Sequence, residues 1–97
     1  MFHVYILYAP NYDKYYIGQT QDIVTRLAYH NELNDESYTS KYRPWELEKS
    51  WCVKTRKEAM KLERFIKKQK SQKFIKKLIN DPIVFISLCS KLEIEVL

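Results

Sequence analysis

The sequence predicts a single small α+β domain, and three observations lead to that prediction. The chain has 97 residues, which is enough for one hydrophobic core but not for two. Hydrophobic residues make up 45% of it and it contains only one glycine, as expected of a chain that folds. Three runs rich in β-branched and aromatic residues are combined with segments of helical periodicity.

The first twenty residues predict a β-hairpin. Residues 2–8 are apolar on both faces, which is typical of a strand covered on both sides. The turn formers Pro, Asn and Asp follow, and residues 15–19 form a second strand. A hairpin folded about residues 10–11 would place Tyr5 opposite Tyr16, so that both hydroxyls emerge on one face.

The next predicted element is a helix capped by Thr20 or Asp22, and it leads to a polar loop over residues 31–40. Arg26 and His30 are four residues apart, so they share a face of this helix beside its apolar stripe. That stripe consists of Ile23, Val24, Leu27 and Ala28.

Two basic helices are predicted after a third strand, which covers residues 45–53. Thr55 and Glu58 have the spacing of a capping box for a helix over residues 56–69. Ser71 begins a second helix, which the Asn-Asp-Pro sequence ends. The inner face of that second helix is formed by Phe74, Ile75, Leu78 and Ile79.

The end of the chain changes character, so we divide it into a domain over residues 1–80 and a C-terminal apolar extension over residues 81–97. Residues 83–89 are predominantly apolar, and residues 92–96 alternate between apolar and acidic side chains as a half-buried strand does. The pattern predicts two added strands. An apolar surface of this kind must be buried against the domain itself, a second copy of the chain or a partner. Residues 83–97 are therefore also predicted to support weak homodimerisation or to bind a protein partner.

Charge is distributed unevenly along the chain. Residues 1–50 hold five basic and seven acidic residues, a net charge of −2, whereas residues 51–97 hold twelve and five, a net charge of +7. Residues 54–77, the basic segment, hold eleven basic residues and two acidic ones. This concentration favours a nucleic acid, although a solvated helix face has the same composition. The predicted nucleic-acid-binding residues are Lys54, Lys61, Arg64, Lys67, Lys68 and Lys70.

The two cysteines, Cys52 and Cys89, are far apart and do not have the spacing of metal ligands. The chain shows no secretory leader and no apolar run long enough to span a bilayer. We therefore expect a protein of the reducing cytoplasm that has no membrane partner.

Three polar residues have both a chemical and a structural interpretation. Glu63 falls within the apolar stripe of its helix, where an ionised carboxylate is costly unless it holds a metal or forms an ion pair, for example with Lys67. The guanidinium of Arg26 can hold two phosphoryl oxygens, or it can pair with Asp22 one turn earlier. His30 can exchange protons near neutral pH, or it can be a surface residue.

Two tripeptides, HVY at residues 3–5 and YIG at residues 16–18, resemble the signature motifs of the GIY-YIG endonuclease superfamily. Three further positions follow in the order and spacing of that superfamily: Arg26, His30 and Glu63. Residues 14–20 and 43–47 are similar to its small stand-alone bacterial members, which are related to the nuclease domain of excinuclease C. The resemblance covers about residues 2–79.

This resemblance implies a three-stranded antiparallel sheet flanked by helices, and hydrolysis of DNA phosphodiester bonds with one divalent ion, Mg²⁺ or Mn²⁺. It implies that Tyr5 is the general base or orients the attacking water, and that Tyr16 positions water or phosphate. Arg26 would stabilise the charge on the pentacovalent phosphorus, and His30 would assist proton transfer or bind phosphate. Glu63 would hold the metal.

The chain departs from the superfamily pattern at two motif positions. His3 stands where the first tripeptide has glycine, and Gln19 stands where some members have a lysine that can lower a tyrosine pKa. We expect no separate DNA-targeting domain, which favours structure-directed or weakly sequence-selective cutting. The competing hypothesis is a non-catalytic nucleic-acid-binding module that kept the nuclease fold. Repair, recombination and defence are all compatible roles.

Overall fold

The computed structural model describes residues 1–33 and 38–97, and it shows a three-stranded antiparallel sheet with helices on both faces. The first strand in the chain occupies the middle of the sheet, so the strand order is β2-β1-β3. This confirms the predicted α+β class and its three-stranded antiparallel sheet. The strands are β1 (Phe2–Ala9), β2 (Lys14–Thr20) and β3 (Glu46–Val53).

In the described residues, four α-helices surround the sheet, with two irregular turns between the first helix and β3. The helices are α1 (Ile23–Ala28), α2 (Arg56–Gln69), α3 (Gln72–Asn80) and α4 (Pro82–Leu92). A π-helical turn (Tyr29–Leu33) continues α1, and a 3-10 turn (Tyr38–Tyr42) precedes β3. These turns occupy much of the predicted polar loop, of which residues 34–37 lie outside the described residues. Among the described residues, no helix is long and apolar enough to cross a membrane.

Strand β1 is covered on both faces, which explains why its sequence is apolar throughout. Alternate side chains of a strand point to opposite faces. Val4 and Ile6 pack into the main core with α2, α3 and α4. Tyr5 and Leu7 point the other way, into a smaller core with Trp45 and the apolar side of α1. The tyrosine at the middle of β1 therefore lies under α1, away from the main core.

The hairpin between β1 and β2 is centred one residue later than the sequence predicted. Ala9 pairs with Lys14, so four residues connect the strands, and Tyr5 lies opposite Gly18 instead of Tyr16. Asp13 adopts a positive φ of 51°, which Asp tolerates better than most residues, and its carboxylate accepts a hydrogen bond of 2.8 Å from the Tyr8 hydroxyl. The predicted Tyr5–Tyr16 pairing is wrong for this reason, although both rings do occupy the same face.

Helices α1, α2 and α3 begin at capping residues that the sequence predicted. Asp22, and not Thr20, caps α1, because its carboxylate accepts from the Thr25 backbone N–H at 3.2 Å. Thr55 caps α2 and Ser71 caps α3 in the same way. One detail of α1 differs from the prediction: Val24 is 80% exposed and lies outside the apolar stripe.

The C-terminal extension forms a helix, so the prediction of two added strands is wrong. Asp81 caps α4 and Pro82 occupies its first turn, where proline is well tolerated. Phe85, Leu88 and Cys89 have helical spacing and are buried in the main core. After α4, only a single antiparallel bridge, between Val96 and Val53, resembles the predicted strand in the described chain. Short apolar runs fit buried helices and buried strands equally well, which explains the error.

The structure leads us to expect that α4 contributes to the stability of the whole domain. The Phe85 ring stacks on Trp51 with centroids 4.2 Å apart and planes inclined by 6°. Phe85→Ala should lower the free energy of unfolding by about 3–5 kcal/mol, because it leaves a cavity in the core. The exposed neighbour Ile86→Ala should change it by less than about 0.5 kcal/mol. Urea unfolding measures both, and similar small effects would mean that the extension is not part of the core.

Candidate active site

The Tyr5 side chain lies across the backbone of Gly18 on the neighbouring strand. A Cβ atom built on Gly18 would overlap the Tyr5 hydroxyl oxygen and lie 2.5 Å from its Cζ atom, which is closer than atoms can approach. Gly18 has an ordinary strand conformation, so the position requires glycine for space and not for backbone freedom. The single glycine of the chain thus allows the Tyr5 side chain to lie across the neighbouring strand at this position.

His30 makes a buried hydrogen bond to Tyr5. The π-helical turn places its Nε2 atom 3.0 Å from the Tyr5 hydroxyl oxygen, and its Nδ1 atom lies 2.9 Å from the Thr39 hydroxyl oxygen. Only 2% of His30 is exposed, and burial together with the nearby Arg26 and Arg43 charges lowers its pKa to about 4. The imidazole is therefore neutral at pH 7, with one nitrogen that donates and one that accepts.

Arg26 approaches the same hydroxyl from α1. Its hydrogen bond with Tyr5 holds the pKa of the guanidinium above the ordinary value, and its Cζ atom lies 4.7 Å from the Tyr29 ring centroid. A guanidinium only donates, so the Tyr5 oxygen is the acceptor towards Arg26 and its own proton is free to go to His30 Nε2. In that arrangement His30 would carry its proton on Nδ1 and donate it to Thr39.

Two features of this cluster bear on its chemistry. Burial raises the pKa of Tyr5 to about 12, although the hydrogen bond from Arg26 acts in the opposite direction. The Nε atom of Arg26 is buried and has no hydrogen-bond partner within the described chain. A buried donor without an acceptor is rare, and here it is one that an oxygen of an anionic ligand can satisfy.

Tyr16 and Glu63 complete the set that the sequence predicted. The Tyr16 ring centroid lies 4.9 Å from that of His30 and 6.4 Å from that of Tyr5. Glu63 is close enough to Tyr5 for its negative charge to contribute to the raised tyrosine pKa. Its carboxylate pairs with Lys67 at 2.9 Å, as the structural interpretation predicted, and the Lys67 ammonium lies 5.5 Å from the Tyr16 ring centroid.

A frame of hydrogen bonds holds the His30 segment against the residues just before β3. The Asn31 side chain donates to the Trp45 carbonyl oxygen and accepts from the Trp45 backbone N–H, at 3.0 and 2.7 Å. Arg43 donates to the His30 carbonyl oxygen at 2.6 Å, and the Trp45 indole donates to the Thr39 carbonyl oxygen at 2.7 Å. Sequence reasoning missed Thr39 and Asn31, because nothing in a polar loop distinguishes them from surface residues.

The six predicted nucleic-acid-binding residues do not form one surface. Lys67 and Lys70 line a groove of about 300 Å³ beside β2, on the side of the helix that borders Tyr16. Lys61, Arg64 and Lys68 lie on another face of α2 and line a separate pocket. The sixth residue, Lys54, is exposed just before α2.

The donor set fits a hydrated magnesium ion better than a cage of protein ligands. Among the described residues, no group of three or more His, Cys, Asp or Glu side chains is arranged to hold a metal. Mg²⁺ keeps several of its waters and is often held by one or two carboxylates together with substrate phosphate. Glu63 can provide one carboxylate, since 23% of its side chain is open to solvent.

The fold and the tyrosine–histidine–arginine cluster define a small α+β domain of the nuclease type. A family model described as the GIY-YIG catalytic domain matches residues 1–78. The chain therefore belongs to the GIY-YIG family of nucleases, as the two tripeptides indicated. Searches among curated proteins and among solved structures gave no match.

The contact between Tyr5 and Gly18 predicts strong energetic coupling. Gly18→Ala should lower the free energy of unfolding by about 1–3 kcal/mol, because the new methyl group displaces the Tyr5 ring. In a Tyr5→Ala background the same substitution should cost much less, giving a coupling energy of similar size in a double-mutant cycle. Urea unfolding of the four proteins provides the test. An equal cost in both backgrounds would contradict the geometry.

The lowered pKa of His30 predicts a specific dependence of stability on pH. The unfolded chain binds a proton at His30 near pH 6.5, whereas the folded chain binds it only near pH 4. The folded state is therefore favoured most above pH 6.5, and roughly 3 kcal/mol of stability is lost as the pH falls through this window. His30→Gln should remove this part of the pH dependence in urea unfolding. An unchanged profile would show that His30 is not a neutral buried group.

Proposed function

We propose that the protein is an endonuclease that hydrolyses DNA phosphodiester bonds with Mg²⁺ or Mn²⁺. One observation carries the proposal: Tyr5, His30 and Arg26 form one hydrogen-bonded cluster in which a buried donor of Arg26 has no partner in the described chain and can bind an anion. The basic segment supplies the charge that brings a polyanion to this cluster.

Arg26 binds the scissile phosphate in this proposal. Its Nε atom is buried without a partner among the described residues, and a guanidinium can hold two phosphoryl oxygens with parallel hydrogen bonds. Charge-assisted hydrogen bonds of this kind become stronger as negative charge develops on the phosphate in the transition state. The ring of Tyr29 lies against the guanidinium and helps to keep it in this orientation.

Tyr5 and His30 together accept the proton of the attacking water. A tyrosine with a pKa of about 12 is not a phenolate at neutral pH, so Tyr5 cannot act as a base in isolation. Its oxygen can accept a proton from water while its own proton passes to His30 Nε2, which avoids a free phenolate. The bound phosphate offsets the repulsion of Arg26 and Arg43, and this raises the proton affinity of His30.

Tyr16 and Glu63 have separate roles in this proposal, one in positioning the phosphate or water and one in holding the metal ion. The Tyr16 hydroxyl positions water or phosphate between His30 and Lys67. Glu63 would hold the divalent ion in place of Lys67. The present ion pair is partly exposed and such pairs contribute about 0–1 kcal/mol, so a divalent cation can displace the ammonium. When bound, the ion supplies positive charge that stabilises the reacting phosphate.

The substrate in this proposal is DNA, cut with structural or weak sequence selectivity. The predicted contacts are lysine and arginine side chains, which can hold the phosphates of any sequence. The cysteines of the chain, Cys52 and Cys89, are both free thiols, and this fits a protein of the reducing cytoplasm.

The direct test is cleavage of labelled duplex, flap, branched and single-stranded DNA with Mg²⁺ or Mn²⁺. Glu63→Gln and Arg26→Ala should each lower the rate by roughly 10²–10³-fold, the typical cost of removing one group that stabilises developing charge. Tyr5→Phe should also be severely impaired. The matched controls Glu48→Gln and Tyr8→Phe change an exposed carboxylate and a hydroxyl outside the cluster, and they should keep wild-type rates.

Two results would contradict the proposal in different ways. Cutting that survives in Glu63→Gln and Arg26→Ala would mean that the activity comes from a contaminant or from another site. An absence of cutting on every substrate, with salt-sensitive DNA binding intact, would favour the non-catalytic binding module.

We further propose weak self-association through the C-terminal extension. Helix α4 buries one side in the domain, but Ile83 and Ile86 remain 71% and 63% exposed, and Leu97 is 58% exposed. Light scattering at high concentration should show dimers that the double substitution Ile83→Gln, Ile86→Gln removes. The control is Val24→Gln, which replaces an even more exposed apolar residue on α1. A wild-type chain that is strictly monomeric would exclude this interface.

A further inference from the structure

A pocket on α2, separate from the tyrosine cluster, has an apolar floor and a cationic rim. We call it the outer pocket, and its volume is about 580 Å³. Its floor is formed by Met60, Phe65 and Leu92. Its rim carries five basic side chains: Arg56, Lys57, Lys61, Arg64 and Lys68. Within the described chain, no acidic residue and no neutral polar residue lines it.

The outer pocket cannot be explained as part of the proposed catalytic site. The row that contains Lys57, Lys61 and Lys68 lies about a third of a turn around α2 from Glu63 and Lys67. That row is about 16 Å long, which is enough for a few nucleotides. A strand that contacts it reaches beyond the scissile phosphate.

We propose that the outer pocket binds an unpaired segment of the nucleic-acid strand, with a base against Phe65 and the flanking phosphates on the basic rim. The base would take the place of the Lys91 ammonium, which lies 5.5 Å from the Phe65 ring centroid. Cationic grooves with aromatic platforms bind single strands without sequence preference, because every base has a stacking face. A duplex exposes phosphates but keeps its bases stacked inside, so it would leave the apolar floor unused. The inference rests on the proposed nuclease function for the choice of a nucleic acid.

The lining also favours a nucleic acid over an acidic peptide. A peptide backbone presents N–H groups that require acceptors. The described lining of the outer pocket offers cationic donors and apolar atoms, and the Leu92 carbonyl oxygen already accepts from Lys61. Its wall is a helix whose backbone is already hydrogen-bonded. The sugar–phosphate backbone of DNA carries only acceptors, so it needs only donors. That lining has no neutral polar or acidic side chain, so we expect a base to be held by its face against the apolar floor while the rim cations bind phosphates.

The test is a binding measurement with EDTA present, so that turnover plays no part. Fluorescence anisotropy would compare a labelled oligothymidine with an abasic strand of equal length. We expect the oligothymidine to bind about 5-fold more tightly or better, since one stacked base contributes about 1–3 kcal/mol. Phe65→Leu and Met60→Gln should each reduce this preference. Phe65→Leu keeps an apolar residue in the core, and Met60 is 41% exposed, so both variants should fold.

Charge-matched variants separate the rim from general electrostatics. The double substitution Arg64→Gln, Lys68→Gln should weaken binding of both strands and flatten its salt dependence. Lys41→Gln, Lys49→Gln makes the same change of charge outside the basic segment and should have a much smaller effect. Equal effects of the two double substitutions would overturn the assignment of the rim.

Three other outcomes have definite meanings. Equal affinity for the abasic strand and oligothymidine would overturn the proposal, as would a base preference that survives in both Phe65→Leu and Met60→Gln. Binding of an alternating Glu–Leu peptide that depends on Met60, without any base preference, would also overturn it and assign the outer pocket to a protein partner. A base-dependent pocket in a chain that cuts nothing would uphold this inference while the proposed nuclease function fails.

Discussion

The contact between the Tyr5 ring and the Gly18 backbone is the constraint on which the rest of the site depends. The ring can lie across β2 only because Gly18 has no side chain. In that orientation its hydroxyl meets His30 on one side and Arg26 on the other, and both of these residues come from the segment after β2. A larger residue at position 18 would move the hydroxyl, and His30 and Arg26 would lose their common hydrogen-bond partner. The tyrosine and glycine of the two motifs therefore act as one structural unit.

Much of the architecture could be predicted because its determinants are local in the sequence. Capping side chains at Asp22, Thr55 and Ser71 mark the helix starts, and the apolar runs mark the strands. The hairpin register could not be predicted, because it depends on the conformation of Asp13 at the turn. The extension was misjudged because a short apolar run does not distinguish a helix from a strand until its packing partners, such as Trp51 against Phe85, are known.

The candidate site, like the fold, could be predicted from the sequence only in part. The family resemblance named the residues to which we assign the chemistry, and the structure brings Tyr5, Tyr16, Arg26, His30 and Glu63 to one place. Their supporting residues could not be named from sequence. Thr39 fixes the orientation of the His30 ring from a loop nine residues away, and Asn31 joins the π-helical turn to Trp45. Such contacts form only when the chain folds. Single polar side chains in a loop have no periodicity that would mark them in the sequence.

The arrangement of charge on α2 connects the two proposals. Its side facing the sheet edge carries Glu63 and Lys67 beside Tyr16, whereas the outer pocket carries cations over an apolar floor. A nuclease that recognised only duplex phosphates would have no use for that floor, since phosphates gain nothing from apolar surface. A nuclease that selects its substrate by structure needs a feature that distinguishes unpaired DNA from paired DNA, and an exposed base is such a feature. One face of α2 would then bind a phosphate beside the tyrosine cluster. A neighbouring face would bind a base, which is possible only where the strand is unpaired.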